Sequence, residues 1–384
     1  MTERIAQDRI ATLADLASAA TCARVVIKVG SALLVGPDGQ PMRAWLASLA
    51  EEIAAVQARG QQVIVVSSGS IALGAARLGL AKGGRASLAD AQAAAAVGQI
   101  ALGGLWAELL AAHGLTAAQL LLTLDDLEDR RRYLNASATL NRLLETGAVP
   151  VVNENDSVAT QEIRFGDNDR LAARVAQAGR ADAVLLLSDV DGLYDRNPKD
   201  PEAAFVPVVR GVTPEIHAMA DGGSASGLGS GGMTSKLQAA EIAERAGIAL
   251  AIVNGTYSAP LARALGQGIG TLFLPRRRDR ARKAWLGGRM KMKGVLTIDA
   301  GAAAALLAGR SLLAKGVTDV SGAFARGDVV EVCGPDGRGI AKGLAEYDAS
   351  ECAAIMGLHT DEQADVLGYT PRGVIIHRDQ MVML

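Results

Sequence analysis

The chain has 384 residues, with 39 Lys+Arg against 41 Asp+Glu and a formal charge of −2. That length exceeds a usual single domain and suggests two. An apolar share of 49% with 21% charged residues excludes wholesale disorder, and near-neutral charge with 3% aromatics argues against a basic nucleic-acid binder or a base-stacking platform.

The N-terminal MTERIAQDRIATLADLASAA carries Glu3, Arg4, Asp8, Arg9 and Asp15, which interrupt the apolar run that a secretory signal requires. Residues 1–22 read as a surface helix or a frayed extension. RVVIKV (24–29) is a strand candidate, followed by Gly30 and Ser31. A helix is expected over 42–59, and QVIVVSS (62–68) is the next strand. Helices follow at 70–78 and 88–112. The apolar stretch 91–122 is broken by Gln92, Gln99, Glu108, His113 and Gln119, so it reads as a core helix and a strand rather than a membrane span. Further strands are expected at 118–122, 148–153, 183–188 and 249–254, with helices near 134–146, 168–179 and 235–246. The strands are apolar along their whole length, the mark of a mostly parallel sheet covered by helices on both faces. In open α/β sheets ligands bind beyond the carboxyl ends of the strands. Those ends carry Gly30-Ser31, Ser67-Ser68-Gly69, Asn153-Glu154-Asn155-Asp156, Ser188-Asp189 and Asn254-Gly255.

The character changes near Pro275. The run 275–293 holds nine basic residues and one acid. Short strands follow at 294–299, 311–317, 328–333 and 339–347, with the turn GPDG at 334–337, and predict a small β-barrel. The expected division is an extension at 1–22, a first domain at 23–275, a basic linker at 276–292, a second domain at 293–371 and a tail at 372–384. Cys22, Cys333 and Cys352 are far apart, and His113, His217, His359 and His377 show no metal-ligand spacing. A disulfide framework and a zinc site are not expected, and the chain reads as cytoplasmic.

Three segments carry chemistry. GGSASGLGSGGMTSK (222–236) contains a literal GxGxxG, but no strand precedes it, so the dinucleotide fingerprint is rejected; no GxxxxGK[ST] is present either. It remains a backbone-rich loop running into a helix, suited to phosphate, with Lys236 at the junction; the plain alternative is a surface linker. Lys28 lies in an otherwise apolar strand, which is costly unless it meets an anion at the strand end or snorkels from an edge strand. Asn155, Asp156, Asp167, Asn168 and Asp169 are too densely polar for an element interior. Asn168 or Asp169 could cap a helix, or the group could bind a substrate ammonium, hold Mg²⁺ or orient the two lysines. Lysines, a phosphate cradle and carboxylates at one sheet edge suggest phosphoryl transfer, which needs placement and positive charge more than covalent help.

The strings IKVGSALL, VVSSGSIALG, AAVGQIALGGLW, PVVNENDSVAT, FGDNDRLAA, LLLSDVDGLYDRNP and SGLGSGGMTSKLQAA resemble the amino acid kinase family, and within it the glutamate 5-kinases. The segment from about 293 to 371 is similar to a PUA domain. The resemblance implies ATP-dependent phosphorylation of the γ-carboxylate of L-glutamate. It assigns catalysis to Lys28, Lys236 and Asp169, and glutamate binding to Ser68, Asp156, Asp167 and Asn168. It assigns ATP binding to Lys28, Ser188, Asp189, Ser230, Gly231, Gly232, Met233, Thr234, Ser235 and Lys236, with Mg²⁺ arriving on the nucleotide and no residue assigned to a metal. It further implies a homo-oligomer inhibited by proline. Ser67 and Ser188 stand where the family often has Thr, and a hydroxyl is kept at both. Two other readings are open: a different acceptor carboxylate or phosphate, and RNA binding through the PUA-like domain, against which the basic run reads as a solvated linker or subunit contact.

Overall fold

The computed structural model describes residues 9–158, 167–220, 232–276 and 292–384. The chain divides into two compact units, Met1–Glu128 with Asn135–Arg278, and Asp129–Leu134 with Asp279–Leu384.

The first unit is built on an eight-stranded sheet. In chain order its strands are β1 Arg24–Val29, β2 Gln62–Ser67, β3 Ala117–Leu122, β4 Val149–Glu154 and β5 Ala183–Ser188, then β8 Val208–Arg210, β9 Ala249–Asn254 and β10 Thr271–Leu274. The pair β6 Leu193–Tyr194 and β7 Phe205–Val206 forms a separate hairpin. The spatial order is β3-β4-β2-β1-β5-β9-β10-β8. Six strands from β3 to β9 run parallel, and the last two, β10 and β8, run parallel to each other and antiparallel to those six. Val and Ile fill β1 and β2 because β-branched side chains pack well on a pleated surface. Both faces of these strands are buried, as the unbroken apolar runs predict.

Helices Arg43–Ala58, Ser70–Leu78, Leu88–Ala111, Arg130–Glu145, Asp167–Ala178 and Met233–Arg245 match the expected helices to within four residues at each end. The helix Leu88–Ala111 is long and apolar enough to cross a membrane. Its Ala94, Leu102, Leu105, Trp106 and Leu110 are nevertheless buried in the unit. The first residues depart from the expected frayed extension where they are described. Ile10, Leu13, Leu16 and Cys22 are buried in the core, and Gln61 Nε2 donates to the Leu16 and Cys22 carbonyls at 2.9 and 2.7 Å.

The second unit holds a five-stranded sheet of order β12-β11-β13-β14-β15. Its strands are β11 Gly294–Ile298, β12 Val317–Gly322, β13 Val329–Cys333, β14 Gly339–Leu344 and β15 Met381–Met383. β11 alternates buried and half-buried residues, unlike the strands of the large sheet. The expected strand 311–317 is instead a single bridge at Leu312 and a 3₁₀ turn Ala314–Gly316, with the strand beginning at Val317. Gly316 packs against Ala302, where an added Cβ would come within 2.4 Å of the Ala302 Cβ. Residues 372–384, expected as a tail, contain buried Ile375 and Ile376 and add β15 to the sheet edge. Most of the basic linker, 277–291, lies outside the described residues.

Candidate active site

The parallel strands bring their carboxyl ends to one edge, and the polar residues expected there converge. Lys28 lies next to last in β1, and Asp169 sits in the first turn of the helix Asp167–Ala178. Lys28 Nζ stands 2.5 Å from Asp169 Oδ1. Lys236, from the first turn of the helix Met233–Arg245, places Nζ 3.4 Å from Asp169 Oδ2. The Ser235 hydroxyl donates to the same oxygen at 2.9 Å. Asp169 is fully buried, and the lysines are 8% and 7% exposed. Burial alone pushes the Asp169 carboxyl up, but Lys28, Lys236 and the Ser235 hydroxyl outweigh it and hold it below the ordinary aspartate value. Burial pushes the Lys236 ammonium down, Lys28 adds to that, and Asp169 offsets only part.

At the ends of β2 and β4 lies a web of hydroxyls and amides. Asn168 Nδ2 donates to Ser68 Oγ at 2.6 Å and to Asn153 Oδ1 at 3.2 Å. Asn153 Nδ2 donates to Ser70 Oγ at 3.2 Å and to Gln99 Oε1 at 2.8 Å. Ser70 Oγ donates to Asp156 Oδ2 at 3.4 Å. Asn168 and Asp169 are therefore not helix caps: the helix begins at Asp167, and both side chains are engaged across the site. Asp167 opens that helix, and its side chain lies outside the described residues. Ser67 accepts from Trp106 Nε1 at 2.9 Å and is fully buried. Ser68 is thus the hydroxyl of this pair that faces the site edge.

Gly69 follows with φ 108°, and a Cβ there would lie 2.8 Å from Leu34 Cδ2. Only glycine makes this turn from β2 into the helix Ser70–Leu78 without strain. That helix crosses Leu88–Ala111 through two further glycines. A Cβ on Gly74 would lie 1.8 Å from the Ala94 carbonyl oxygen, and one on Gly98 would lie 1.7 Å from that of Ser70. This contact brings Ser70 and Gln99 to the same amide of Asn153.

At the end of β5, Ser188 Oγ donates to Asp189 Oδ1 at 3.2 Å, and Ser188 is buried while Asp189 is exposed. Gly232 is the N-cap of the helix Met233–Arg245, so Met233, Thr234, Ser235 and Lys236 form its first turn. Backbone N–H groups of that turn and the helix dipole favour an anion. Ser230 and Gly231 lie outside the described residues.

Asn153 was expected at a strand end, but reading the sequence by motif passes over three neighbours. Ser70 and Gln99 are ordinary polar residues beside apolar runs, with no spacing signal. Arg85 follows Lys82, Gly83 and Gly84, all at positive φ. Burial pushes its guanidinium down, while the charge of Asp156 acts in the opposite sense. The run of glycines before Arg85 was the available signal of a shaped loop.

A family model described as the amino acid kinase family matches residues 23–254, and one described as the PUA domain matches 294–367. The chain is 71% identical over 376 residues to a glutamate 5-kinase of Novosphingobium aromaticivorans, covering 98% of this chain and 100% of that protein. It is 62% identical over 365 residues to one of Sphingopyxis alaskensis, covering 95% and 98%. Among solved structures, a UMP kinase of Bacillus anthracis is 16% identical with a TM-score of 0.46, covering 67% of this chain and 97% of that one. With one family model spanning more than half of its length and relatives matched end to end, the chain belongs to the amino acid kinase family, on the glutamate 5-kinase branch that carries a PUA domain.

Proposed function

We propose that this chain transfers the γ-phosphoryl group of ATP to the γ-carboxylate of L-glutamate, giving L-glutamyl 5-phosphate, the first step of proline synthesis. The observation that carries the site assignment is the convergence of Lys28 and Lys236 on the single buried carboxylate of Asp169. Phosphoryl transfer requires in-line placement and positive charge around the equatorial oxygens. Held apart by Asp169, the two ammonium groups bracket the place where that charge develops. The first turn of the helix Met233–Arg245 adds backbone donors to the phosphates. The nucleophile is the substrate's own carboxylate, ionised at neutral pH, so no side chain has to remove a proton. Ser68, Asp156 and Asn168 hold the amino acid. The Ser68 oxygen accepts from Asn168, so its own hydrogen is available to a substrate carboxylate.

Among the described residues no three His, Cys, Asp or Glu side chains cluster as metal ligands. That donor set fits Mg²⁺ carried mainly by phosphate oxygens and water, with the exposed carboxylate of Asp189, whose charge acts on Lys236, available beside it. When bound, the ion neutralises phosphate charge and leaves the lysines to the transferring group.

The chain forms a homo-oligomer in this reading. The helix Leu88–Ala111 exposes an apolar face with Ala93, Ala96 and Ile100, the last 78% exposed, and in this reading a second copy of the chain covers that face. Proline acts as a feedback inhibitor. The test is formation of glutamyl hydroxamate from glutamate, ATP, Mg²⁺ and hydroxylamine, with aspartate and acetylglutamate as rival acceptors in the same assay, UMP as a rival followed by ADP release, and with proline added. Turnover confined to glutamate and lowered by proline supports the reading. Preference for another acceptor overturns it.

A further inference from the structure

The polarity of the substrate-side amides is set from both ends of Asn153, by a backbone donor at its oxygen and a side-chain acceptor at its nitrogen. The Glu154 N–H donates to Asn153 Oδ1 at 2.8 Å. A backbone N–H can only donate, so it decides which end of the Asn153 amide is oxygen. Asn153 Nδ2 therefore faces Gln99 Oε1 at 2.8 Å and Ser70 Oγ at 3.2 Å. Asn168 can meet Asn153 Oδ1 only through its own Nδ2, which also donates to Ser68. What remains is Asn168 Oδ1, a buried atom with no hydrogen-bond partner.

A buried acceptor without a donor is costly, and the cost is removed when a ligand supplies one. An amino-dicarboxylate brings a single strong donor, its α-ammonium. Asp156, 8% exposed and joined to the same web through Ser70, supplies the matching negative charge.

We propose that Gln99 is a positioning residue for the amino-acid substrate: by accepting from Asn153 Nδ2 it holds the amide relay in the orientation that leaves Asn168 Oδ1 for the α-ammonium. This rests on the glutamate reading above. Gln99 reaches Asn153 because Gly98, its neighbour, lets the helix touch the Ser70 carbonyl.

The test uses the full-length protein and compares L-glutamate with glutarate, which keeps both carboxylates and lacks the ammonium. Calorimetry gives the Kd of each, and the hydroxamate assay gives kcat and KM. Gln99→Met keeps the side-chain length without an acceptor, and Gln99→Leu replaces it should that variant not fold. Gln99→Glu keeps an acceptor for Asn153. The Met variant is expected to bind glutamate about tenfold more weakly, the scale of a lost hydrogen bond to a charged group, with kcat and glutarate affinity within about twofold. The Glu variant is expected within about threefold of the unaltered protein on glutamate. An unchanged glutamate Kd in the Met variant, an equal loss for glutarate, or a Glu variant as weak as Met overturns the proposal. Absence of hydroxamate from the unaltered protein instead overturns the kinase reading, because the Kd comparison needs no turnover.

Discussion

Gly98 and Ser70 meet backbone to backbone, so closely that a Cβ on Gly98 would lie 1.7 Å from the Ser70 carbonyl oxygen. The helices Leu88–Ala111 and Ser70–Leu78 are joined there without an intervening side chain. Gly98→Ala forces them apart and is expected to cost about 1–3 kcal/mol of stability, the usual scale of overpacking. Because Ser70 and Gln99 both bond Asn153, the same variant is expected to raise KM for glutamate while leaving KM for ATP near its starting value. Thermal melting and two-substrate kinetics read the two effects separately, and an ATP effect as large as the glutamate effect would contradict the placement.

The three buried charges respond differently to removal. Asp169→Asn leaves two buried ammonium groups without a counter-charge and is expected to cost about 3 kcal/mol, as breaking a buried pair usually does. Lys236→Met removes a desolvated cation while Asp169 keeps Lys28. It is expected to melt no lower than the unaltered protein, and to lose about 10²–10³-fold in kcat, the scale of one lost transition-state donor. A Lys236→Met protein that turns over normally would remove Lys236 from the mechanism.

The depressed Asp169 carboxyl predicts a pH dependence of defined sign. Its folded-state value lies below its unfolded value, so the unfolded chain binds the extra proton first. The stabilisation is present above the ordinary aspartate value of about 3.9 and is lost as pH falls from there through the folded value. In denaturant titrations across that acid range, the unaltered protein is expected to lose stability with a steeper slope than Asp169→Asn. Equal slopes would mean that Asp169 titrates normally.

Ile100 tests the expected self-association. Ile100→Glu places a charge on the exposed apolar face of the helix Leu88–Ala111, where burial against a second copy would then be unfavourable. Sedimentation is expected to show a smaller species than the unaltered protein forms at the same concentration. An unchanged mass would place the contact elsewhere on the surface.

The large sheet was legible because apolarity along whole strands, as in RVVIKV and AVLLLS, is a statement about burial on both faces. Lys28 was legible because a charge in such a strand needs a reason, and Lys236 because it closes a glycine-rich run at a helix start, whereas Asp169 was read with a helix cap left open and took its role from the family resemblance. The second unit was harder. Its helix Ala349–Ile355 carries a readable capping signal, Asp348 with Glu351, but the helix is too short for periodicity to show. Strand β15 is only three residues long and is fixed by pairing with β14, a contact between distant residues. Gln99 was hidden for another reason. Nothing in the helix sequence says which polar residue turns inward, since that depends on where Gly98 lets a neighbouring helix come.

Lys28, Lys236 and Asp169 sum to one positive charge (2 − 1 = +1) inside the sheet mouth. Any compact anion relieves that imbalance, not only a nucleotide phosphate. Sulfate and inorganic phosphate are therefore expected to act as both stabilisers and competitors: if the proposed site is right, a buffer that raises the Tm through this centre also raises the apparent KM for ATP, and an affinity measured in phosphate understates the one measured without it.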